Sequence, residues 1–293
     1  MIIPIYNAAE FVGQCLESLL IQTFQDFEVI VVDDCSTDNS VAIVESYRPK
    51  FNGRLKLTKT EKNSGGGGYV PRNIGFKLAS GKYVYFMDAD DFLLGTALEI
   101  FYTTAEKHAV DVVYTAVAYK MKKINDAIVW RDSKTKGTTS KVLEGEEFNN
   151  FLYGLAFEGI FTYPWVYFVR RDFLLQNNIA FPEIMKAGDY LWAVTVCCQT
   201  KKIFRLVKPL YFHNEYNVNS VSRFGSAIIK GAKNLENAKL FMDFLQSDEG
   251  QAVYLASGAR PVTTHHIEGG SDVMVDLSKI NYAVADTAAL AAA

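Results

Sequence analysis

Apolar and polar positions follow two different periods along the first 120 residues, and segments of the two kinds alternate. Short apolar runs that end in polar residues predict strands, at residues 1–5, 27–32, 55–60, 82–87 and 111–119. Apolar residues that recur every three or four positions predict helices, at residues 10–21, 38–47, 71–80 and 96–108. This alternation favours right-handed βαβ units and an α/β fold with a mostly parallel sheet.

Cap signals accompany two of the predicted helices. Ser36 or Thr37 is expected to cap the helix at 38–47. Pro71 suits the first turn of the next helix, and Gly81 suits the position just beyond its end.

Polar residues directly follow four of the predicted strands. The clusters are Tyr6-Asn7, Asp33-Asp34, Asn63 with the glycines after it, and Asp88-Ala89-Asp90-Asp91. Ligands of parallel α/β sheets bind beyond the carboxyl ends of the strands. We therefore expect the four clusters to form one shared site.

The composition excludes several classes of protein. The 293 residues are 49% apolar and 22% charged, which is typical of a globular protein. The net charge of −3 provides no overall positive field for nucleic acid. No apolar run reaches the roughly 18 residues of a membrane span, and the first residues carry no secretory signal. Cys15, Cys35, Cys197 and Cys198 lack metal-ligand spacing, which favours free thiols in a reducing compartment and a cytoplasmic location.

The acidic clusters suggest two kinds of binding. Asp88, Asp90 and Asp91 could hold Mg²⁺ or Mn²⁺ together with a diphosphate, although a solvated acidic turn that caps the next helix has the same pattern. Asp33 and Asp34 could accept a hydrogen bond from a nucleotide base, and an ordinary strand-to-helix turn is the alternative.

The glycine run 65–68 could let the backbone approach a ligand closely, and a flexible loop is the alternative. Arg72 stands at the start of the following predicted helix, where it could meet phosphate. The spacing is that of neither a P-loop nor a GxGxxG motif.

Taken in order, these motifs resemble those of family 2 glycosyltransferases. The segments that carry the resemblance are residues 2–7, 32–38, 63–65, 72–75, 88–91, 165–171, 181–183 and 187–189, with His213 and Ser220. The resemblance covers about residues 1–223. It implies the GT-A fold, which is a three-layer α/β/α arrangement, and an inverting transfer of a hexosyl group that depends on Mn²⁺ or Mg²⁺.

The resemblance also implies roles for single residues. Pro4, Tyr6 and Asn7 would form the wall for the nucleotide base, with Tyr6 stacking on it. Asp34, with Asp33 beside it, would bind the base.

Further along the chain, Arg72 would help to hold the nucleotide, and Asp88 would contact the ribose or support the metal. Asp90 would ligate the metal, and Asp189 would act as the general base. His213 would complete the metal or diphosphate site, unless it is a structural histidine.

The sequence departs from the family pattern at three places. Cys35 stands where glycine is usual, and Gly188 stands where the family usually has glutamate before the catalytic aspartate. Glu183 is the nearest alternative base. The chain also starts inside the first predicted strand, where the family normally has several more residues.

The substrates follow from the resemblance only as classes. It implies a UDP-sugar donor, a saccharide or lipid-linked acceptor, a role in polysaccharide biosynthesis at the cell envelope, and peripheral association with the inner face of the membrane. The segment at about 120–185 is expected to choose the acceptor. Its aromatic residues suit sugar stacking or a core equally, and they are Trp130, Tyr153, Phe157, Phe161, Tyr163 and Trp165.

The composition changes after residue 223. Thirteen of the last 70 residues are alanine, against 15 of the first 223, and all three tryptophans precede the change. Residues 224–290 resemble the C-terminal segment of ABC-transporter solute-binding proteins. We therefore expect a transferase domain at 1–223, and a fused, mainly helical segment at 224–293 that has no transport function.

Three other readings stay open from the sequence. The chain could be a solute-binding module, a sugar-phosphate nucleotidyltransferase or an inactive scaffold. A glycine-rich, basic signature is usual after the first strand of nucleotidyltransferases, and Tyr6 to Glu10 stand there instead. Seventy residues supply neither a whole lobe nor a cleft for a solute.

Overall fold

The computed structural model describes residues 1–65, 67–124, 127–132, 139–157, 160, 162–182, 188–215 and 217. The strands run, in order, over Ile2–Ile5 (β1), Val29–Asp33 (β2), Leu55–Lys59 (β3), Tyr83–Tyr85 (β4), Phe92–Leu93 (β5), Val112–Thr115 (β6), Tyr119–Ile124 (β7), Ala127–Asp132 (β8), Lys141–Glu144 (β9), Tyr167–Arg170 (β10), Lys202–Leu206 (β11) and Tyr211–Asn214 (β12). The helices run over Val12–Leu20 (α1), Ser40–Tyr47 (α2), Tyr69–Leu78 (α3), Ala97–His108 (α4), Gly145–Phe157 (α5), Arg171–Gln176 (α6) and Gly188–Gln199 (α7).

The N-terminal strands form the parallel core of the fold. β1 lies between β2 and the end of β4, and β2 pairs in parallel with β1 and β3. Every residue of β2 is buried, which is usual for a central parallel strand that is covered on both faces. The predicted α/β class with a parallel core is confirmed.

Antiparallel pairs extend this core. β10 lies antiparallel between β4 and β6, and the order continues through β11 to β9. A separate four-stranded sheet has the order β5-β12-β7-β8. The sheets are therefore mixed beyond β4. The single strand predicted at 111–119 is in fact divided between β6 and β7.

Helix ends differ from the sequence-based expectation. α3 begins at Tyr69, so Pro71 lies in its first turn as expected. The helix ends at Leu78, too early for Gly81 to act as the C-terminal glycine. Asn39 occupies the N-cap position of α2 without a side-chain cap, so the expected caps at Ser36 and Thr37 are wrong. Both residues bond to Asn7 instead.

The core beside the site is aromatic. Phe181 stacks on Trp192 with ring centroids 4.8 Å apart, and Phe86 meets both rings edge-on.

In the part of the chain that the structure describes, no helix is long and apolar enough to cross a membrane.

The predicted tail lies outside the described residues. Backbone contacts divide the chain after Val221, and all described residues belong to the first unit. The boundary after residue 223, the domains 1–223 and 224–293, and the resemblance to solute-binding proteins stay predictions.

Candidate active site

Asp34 links the end of β2 to the loop after β3. Its carboxylate accepts hydrogen bonds from the Ser64 hydroxyl at 2.7 Å, the Ser64 N–H at 3.0 Å and the Thr60 hydroxyl at 2.9 Å. Asn63 donates its side-chain amide to the Asp34 carbonyl at 2.9 Å. Asp34 is only 5% exposed, so its carboxylate is held in one place at the edge of the sheet.

Asp33 and Asn7 order the turn that follows β2. An Asp33 carboxylate oxygen accepts the Ser36 N–H at 3.1 Å. Asn7 has a left-handed φ of 47°, donates its N–H to the Ser36 hydroxyl at 3.0 Å, and accepts the Thr37 N–H at 2.8 Å. Asp33 and Asn7 therefore stabilise the loop that follows β2 and hold it against the loop that follows β1. Tyr6 is 54% exposed, which leaves its ring open for stacking.

Cys35, one of the departures from the family pattern, has a left-handed φ of 64°. Glycine adopts this conformation without a steric cost, which accounts for the glycine that is usual there. The Cys35 thiol lies 3.5 Å from the Thr60 carbonyl.

Arg72 lies between two carboxylates. It donates to Asp88 at 2.6 Å and to the Gly67 carbonyl at 2.5 Å, and a guanidinium nitrogen lies 3.6 Å from Asp189. Its side chain is 6% exposed, and its Nε is buried without a hydrogen-bond partner. Pro4 packs at the same loop, because a Cβ on Gly68 would lie 3.3 Å from the Pro4 ring. Arg72 thus joins the end of β4 to the start of α7.

The carboxylates of the Asp88–Asp91 cluster have separate partners. Asp88 pairs with Arg72, whereas Asp90 accepts the Asn217 amide at 2.6 Å. Burial and the nearby charges of Asp91 and Asp88 raise the pKa of Asp90 to about 7.

Asp91, which the sequence placed among the candidate cation-binding carboxylates, is a buried anchor for β12. It accepts the Tyr211 hydroxyl at 2.6 Å and the Asn214 N–H at 2.7 Å, and it lies 3.1 Å from Nδ1 of His213. Burial opposes the charge on His213, but Asp91 outweighs it and raises the pKa of His213 to about 9. Burial raises the pKa of Asp91 as well, yet the donors that face it favour the carboxylate, so we assign the pair as charged. No sequence pattern marked Tyr211, because β12 lies far from Asp91 along the chain.

The residues present fit a cation that is shared with a diphosphate. Within the described part of the chain, Asp90 has no cationic side chain paired with it, and His213 uses Nδ1 for Asp91. Metal binding would displace the proton from Nε2 of His213 and leave Nδ1–H on Asp91, as in many metal-binding histidines. Among the described residues, no group of three or more His, Cys, Asp or Glu side chains is placed to hold a metal ion. Two protein ligands suit Mg²⁺ or Mn²⁺, which commonly complete their coordination with substrate phosphates and water.

Asp189 lies in the first turn of α7. One carboxylate oxygen is buried without a hydrogen-bond partner. Burial, opposed by Arg72, raises the pKa of Asp189 to about 6. A carboxylate with a pKa near neutrality is suited to general-base chemistry. Glu183, the alternative base, lies outside the described residues.

A stack of aromatic rings adjoins His213. Trp165 is 3% exposed and lies parallel to Tyr211 at 4.4 Å and to Tyr163 at 5.1 Å. Its centroid is 5.3 Å from that of the His213 ring. Tyr163 is 43% exposed, so it presents one ring of this stack at the surface. Of the other aromatics predicted for acceptor choice, Tyr153 is exposed on α5, while Phe161 and the side chains of Trp130 and Phe157 lie outside the description.

A cavity of about 340 Å³ lies at the opposite ends of the strands, beside Phe27, which precedes β2, and Tyr83, which begins β4. None of the predicted site residues lines it.

Residues 1–182 match the family model described as Glycosyl transferase family 2. The chain belongs to this family. The order of its motifs therefore predicted the family correctly.

Curated family members include a close sequence relative from Staphylococcus aureus. It is the poly(ribitol-phosphate) beta-N-acetylglucosaminyltransferase TarS, which is 35% identical over 216 residues, covering 73% of this chain and 35% of TarS. The glycosyltransferase YibD of Escherichia coli is 31% identical over 236 residues, covering 80% of this chain and 65% of YibD. The chain thus spans about a third of the length of TarS.

A solved structure shows the same fold. The crystal structure of S. aureus TarS 1–349 in complex with UDP-GlcNAc superposes with a TM-score of 0.62 and 27% identity, over 87% of this chain and 72% of that one. The chain has the GT-A fold that this family member shares.

Proposed function

We propose that the chain transfers a hexosyl group from a UDP-sugar to an acceptor hydroxyl, with inversion at the anomeric carbon. One observation carries this proposal: Asp34, Arg72, Asp88 and Asp189 meet at the carboxyl edge of the parallel core, joined by the contacts of Arg72 and of the loop after β3. Membership of family 2 and the likeness to TarS, which was crystallised with UDP and UDP-GlcNAc, support it.

Asp34 and Tyr6 are proposed to receive the base. The Asp34 carboxylate is fixed by Ser64 and Thr60, and its remaining lone pairs can accept the N–H of a uracil ring. The exposed ring of Tyr6 can stack on the same base. Arg72 orients Asp88, which we place at the ribose.

Asp189 is proposed as the general base. Inversion requires the acceptor hydroxyl to attack opposite the departing diphosphate, so the base must lie on the acceptor side. The Asp189 carboxylate would take the hydroxyl proton as the bond to the anomeric carbon forms. The Arg72 guanidinium, 3.6 Å away, keeps the carboxylate oriented.

A divalent cation held by Asp90 and by Nε2 of His213 would stabilise the charge on the departing nucleoside diphosphate. Asn217 orients Asp90, and Asp91 orients His213. The acceptor is proposed to be a saccharide, a lipid-linked glycan or a polyol phosphate of the cell envelope, the last because TarS is named for poly(ribitol-phosphate).

The test is calorimetric titration with UDP, in the presence and absence of Mn²⁺. We expect specific binding that is weakened strongly by Asp34→Ala and unchanged by Asp172→Ala, which alters an exposed carboxylate on α6. Unchanged affinity in Asp34→Ala would remove this residue from the base site. Absence of UDP binding by the intact chain would favour the inactive scaffold.

A further inference from the structure

The ring of Tyr69 fills the space beside the residue that precedes the proposed base. A Cβ atom added at Gly188 would lie 2.6 Å from Cζ and 2.7 Å from Cε1 of Tyr69. The φ angle of Gly188 lies outside the left-handed region. The cost of a side chain at position 188 would therefore come from this contact and not from backbone strain.

Tyr69 is itself closely surrounded. It is 7% exposed, and its ring stacks on Phe181 with centroids 6.2 Å apart. A Cβ at Gly67 would lie 2.4 Å from the same ring. Its hydroxyl oxygen faces the backbone N–H groups of Gly188 and Asp189, which partly offset the rise in the Tyr69 pKa that burial and the Asp189 charge cause. Tyr69 thus packs on the first turn of α7.

We infer that Tyr69 is a positioning residue for Asp189, and that Tyr69 and Gly188 are a size-matched pair whose contact sets where the Asp189 carboxylate lies. The inference rests on the proposed role of Asp189 as base. It also accounts for the absence of the usual glutamate, because the Tyr69 ring occupies the space that a larger residue at 188 would need.

The surroundings of Asp189 link this pair to the chemistry. The charged and titratable groups that face Asp189 are Arg72 and Tyr69 from α3 and Asp88 from the loop after β4. Tyr69 precedes Arg72 by three residues, so both lie on one face of α3. Moving the Tyr69 ring would therefore change both the position and the hydration of the carboxylate.

A double-mutant cycle tests the pairing. Gly188→Ala, Tyr69→Ala and the double variant are compared with the intact chain by thermal unfolding and by transfer from UDP-GlcNAc to ribitol 5-phosphate. Gly188→Ala is expected to lower the melting temperature by several degrees and the turnover by about 10–100-fold, with UDP affinity unchanged. In the Tyr69→Ala background, the same substitution should have little further effect. Equal losses in both backgrounds would overturn the inference.

The pH profile distinguishes positioning from packing. Tyr69→Ala admits water to Asp189, so the acid limb of turnover is expected to move to lower pH. Tyr69→Phe keeps the ring but removes the hydroxyl that faces the backbone N–H groups of Gly188 and Asp189, and it provides a second test if the alanine variant fails to fold. It should lower turnover several-fold without weakening UDP binding. A loss of stability alone, with turnover per folded molecule and the acid limb unchanged, would count against the positioning role.

Matched control substitutions of the same two kinds are available at and just before β4. Tyr83→Phe removes a hydroxyl that bonds to Glu106, and Gly81→Ala adds a Cβ whose nearest neighbour is 3.4 Å away. Both should leave turnover unchanged. If thermal coupling is found while Asp189→Asn keeps full turnover, the proposed function loses its base and the positioning role falls with it, leaving a packing pair. If Asp189→Asn is inactive and no coupling is found, only the present inference fails.

Discussion

Asp189, the proposed general base, shows how a catalytic role would come at a cost in stability. Its pKa is raised to about 6 by burial, which Arg72 offsets only in part, so the carboxylate is half protonated at mildly acidic pH. The charged form that a base needs is the form that the fold disfavours. The motif at residues 187–189 was enough to indicate this residue. The Tyr69 ring beside the neighbouring Gly188 is evident only from the contact between α3 and α7.

We expect turnover to fall as the pH drops through about 6, because protonated Asp189 cannot accept the acceptor proton. Asp189→Asn should lower turnover by about 10²–10⁴-fold and leave UDP affinity nearly intact. Measured pH–rate profiles of kcat check the first statement. A flat profile down to pH 5 would contradict it.

The raised pKa of Asp189 also predicts how the stability of the fold changes with pH. An aspartate is ionised above about pH 3.9 in the unfolded chain but only above about 6 in the fold, so its charge destabilises the fold increasingly as the pH rises through this window. Asp189→Asn should therefore melt at a temperature equal to or above that of the intact chain at pH 7.5. This advantage should disappear near pH 4. A large loss of stability at pH 7.5 would indicate that the carboxylate makes a stabilising contact.

The metal-binding role predicted for Asp90 can be tested separately from the role of Asp189. Asp90→Asn should weaken UDP binding at least about tenfold when Mn²⁺ is present, because the ligand that bridges protein and diphosphate is lost. Little change is expected without the cation. Calorimetric titration measures the UDP affinity in the presence and in the absence of Mn²⁺. Equal affinities of the variant and the intact chain in Mn²⁺ would remove Asp90 from the metal site.

At the scale of elements, Glu28 explains why one helix end differs from its sequence signal. Its carboxylate accepts the Ser80 N–H at 2.6 Å, the Ser80 hydroxyl at 2.7 Å and the Gly81 N–H at 3.2 Å. Lys56 of β3 donates to the other oxygen at 2.7 Å. The turn after α3 is thus fixed by a residue just before β2, and the capping role expected of Gly81 is not needed. Local patterns cannot reveal a partner so distant in sequence.

Glu28 should stabilise the fold in a pH-dependent way. Burial disfavours its charge, but the bonds from Lys56 and Ser80 outweigh it and lower the pKa of Glu28 to about 2. This stabilisation is complete above the ordinary pKa near 4.5 and is lost as the pH falls towards 2. We expect Glu28→Gln to cost about 1–3 kcal/mol at pH 7 and progressively less below pH 4.5.

Urea unfolding at pH 7 and at pH 3.5 measures this difference. Glu45→Gln is the matched control, because Glu45 pairs with Arg48 on an exposed surface where ion pairs contribute little. A cost for Glu28→Gln that is the same at both pH values would contradict the electrostatic origin.

At the scale of the whole molecule, the sequence predicted the parallel core but not its extension. β1, β2 and β3 follow one another through α1 and α2, so their order can be inferred from local alternation. β10 inserts between β4 and β6 from far along the chain, and β9 adds a further edge strand beyond β11. Apolar periodicity indicates that such segments are strands, but it does not identify their partners. For the same reason, the contacts of Tyr211 and Asn214 with Asp91 could not be predicted from the sequence.

The last prediction concerns the extent of the folded unit. The described residues carry the parallel core, its antiparallel extension and the Asn217 contact to Asp90, all before the boundary predicted after residue 223, which we place between about 221 and 232. We therefore expect limited proteolysis to cut within that interval and to leave a stable fragment of about 220 residues, since exposed linkers are cleaved first. The fragment should melt cooperatively and bind UDP with the affinity of the intact chain. A fragment that aggregates or loses UDP binding, or a chain resistant to cleavage there, would show that residues beyond 223 contribute to the transferase fold.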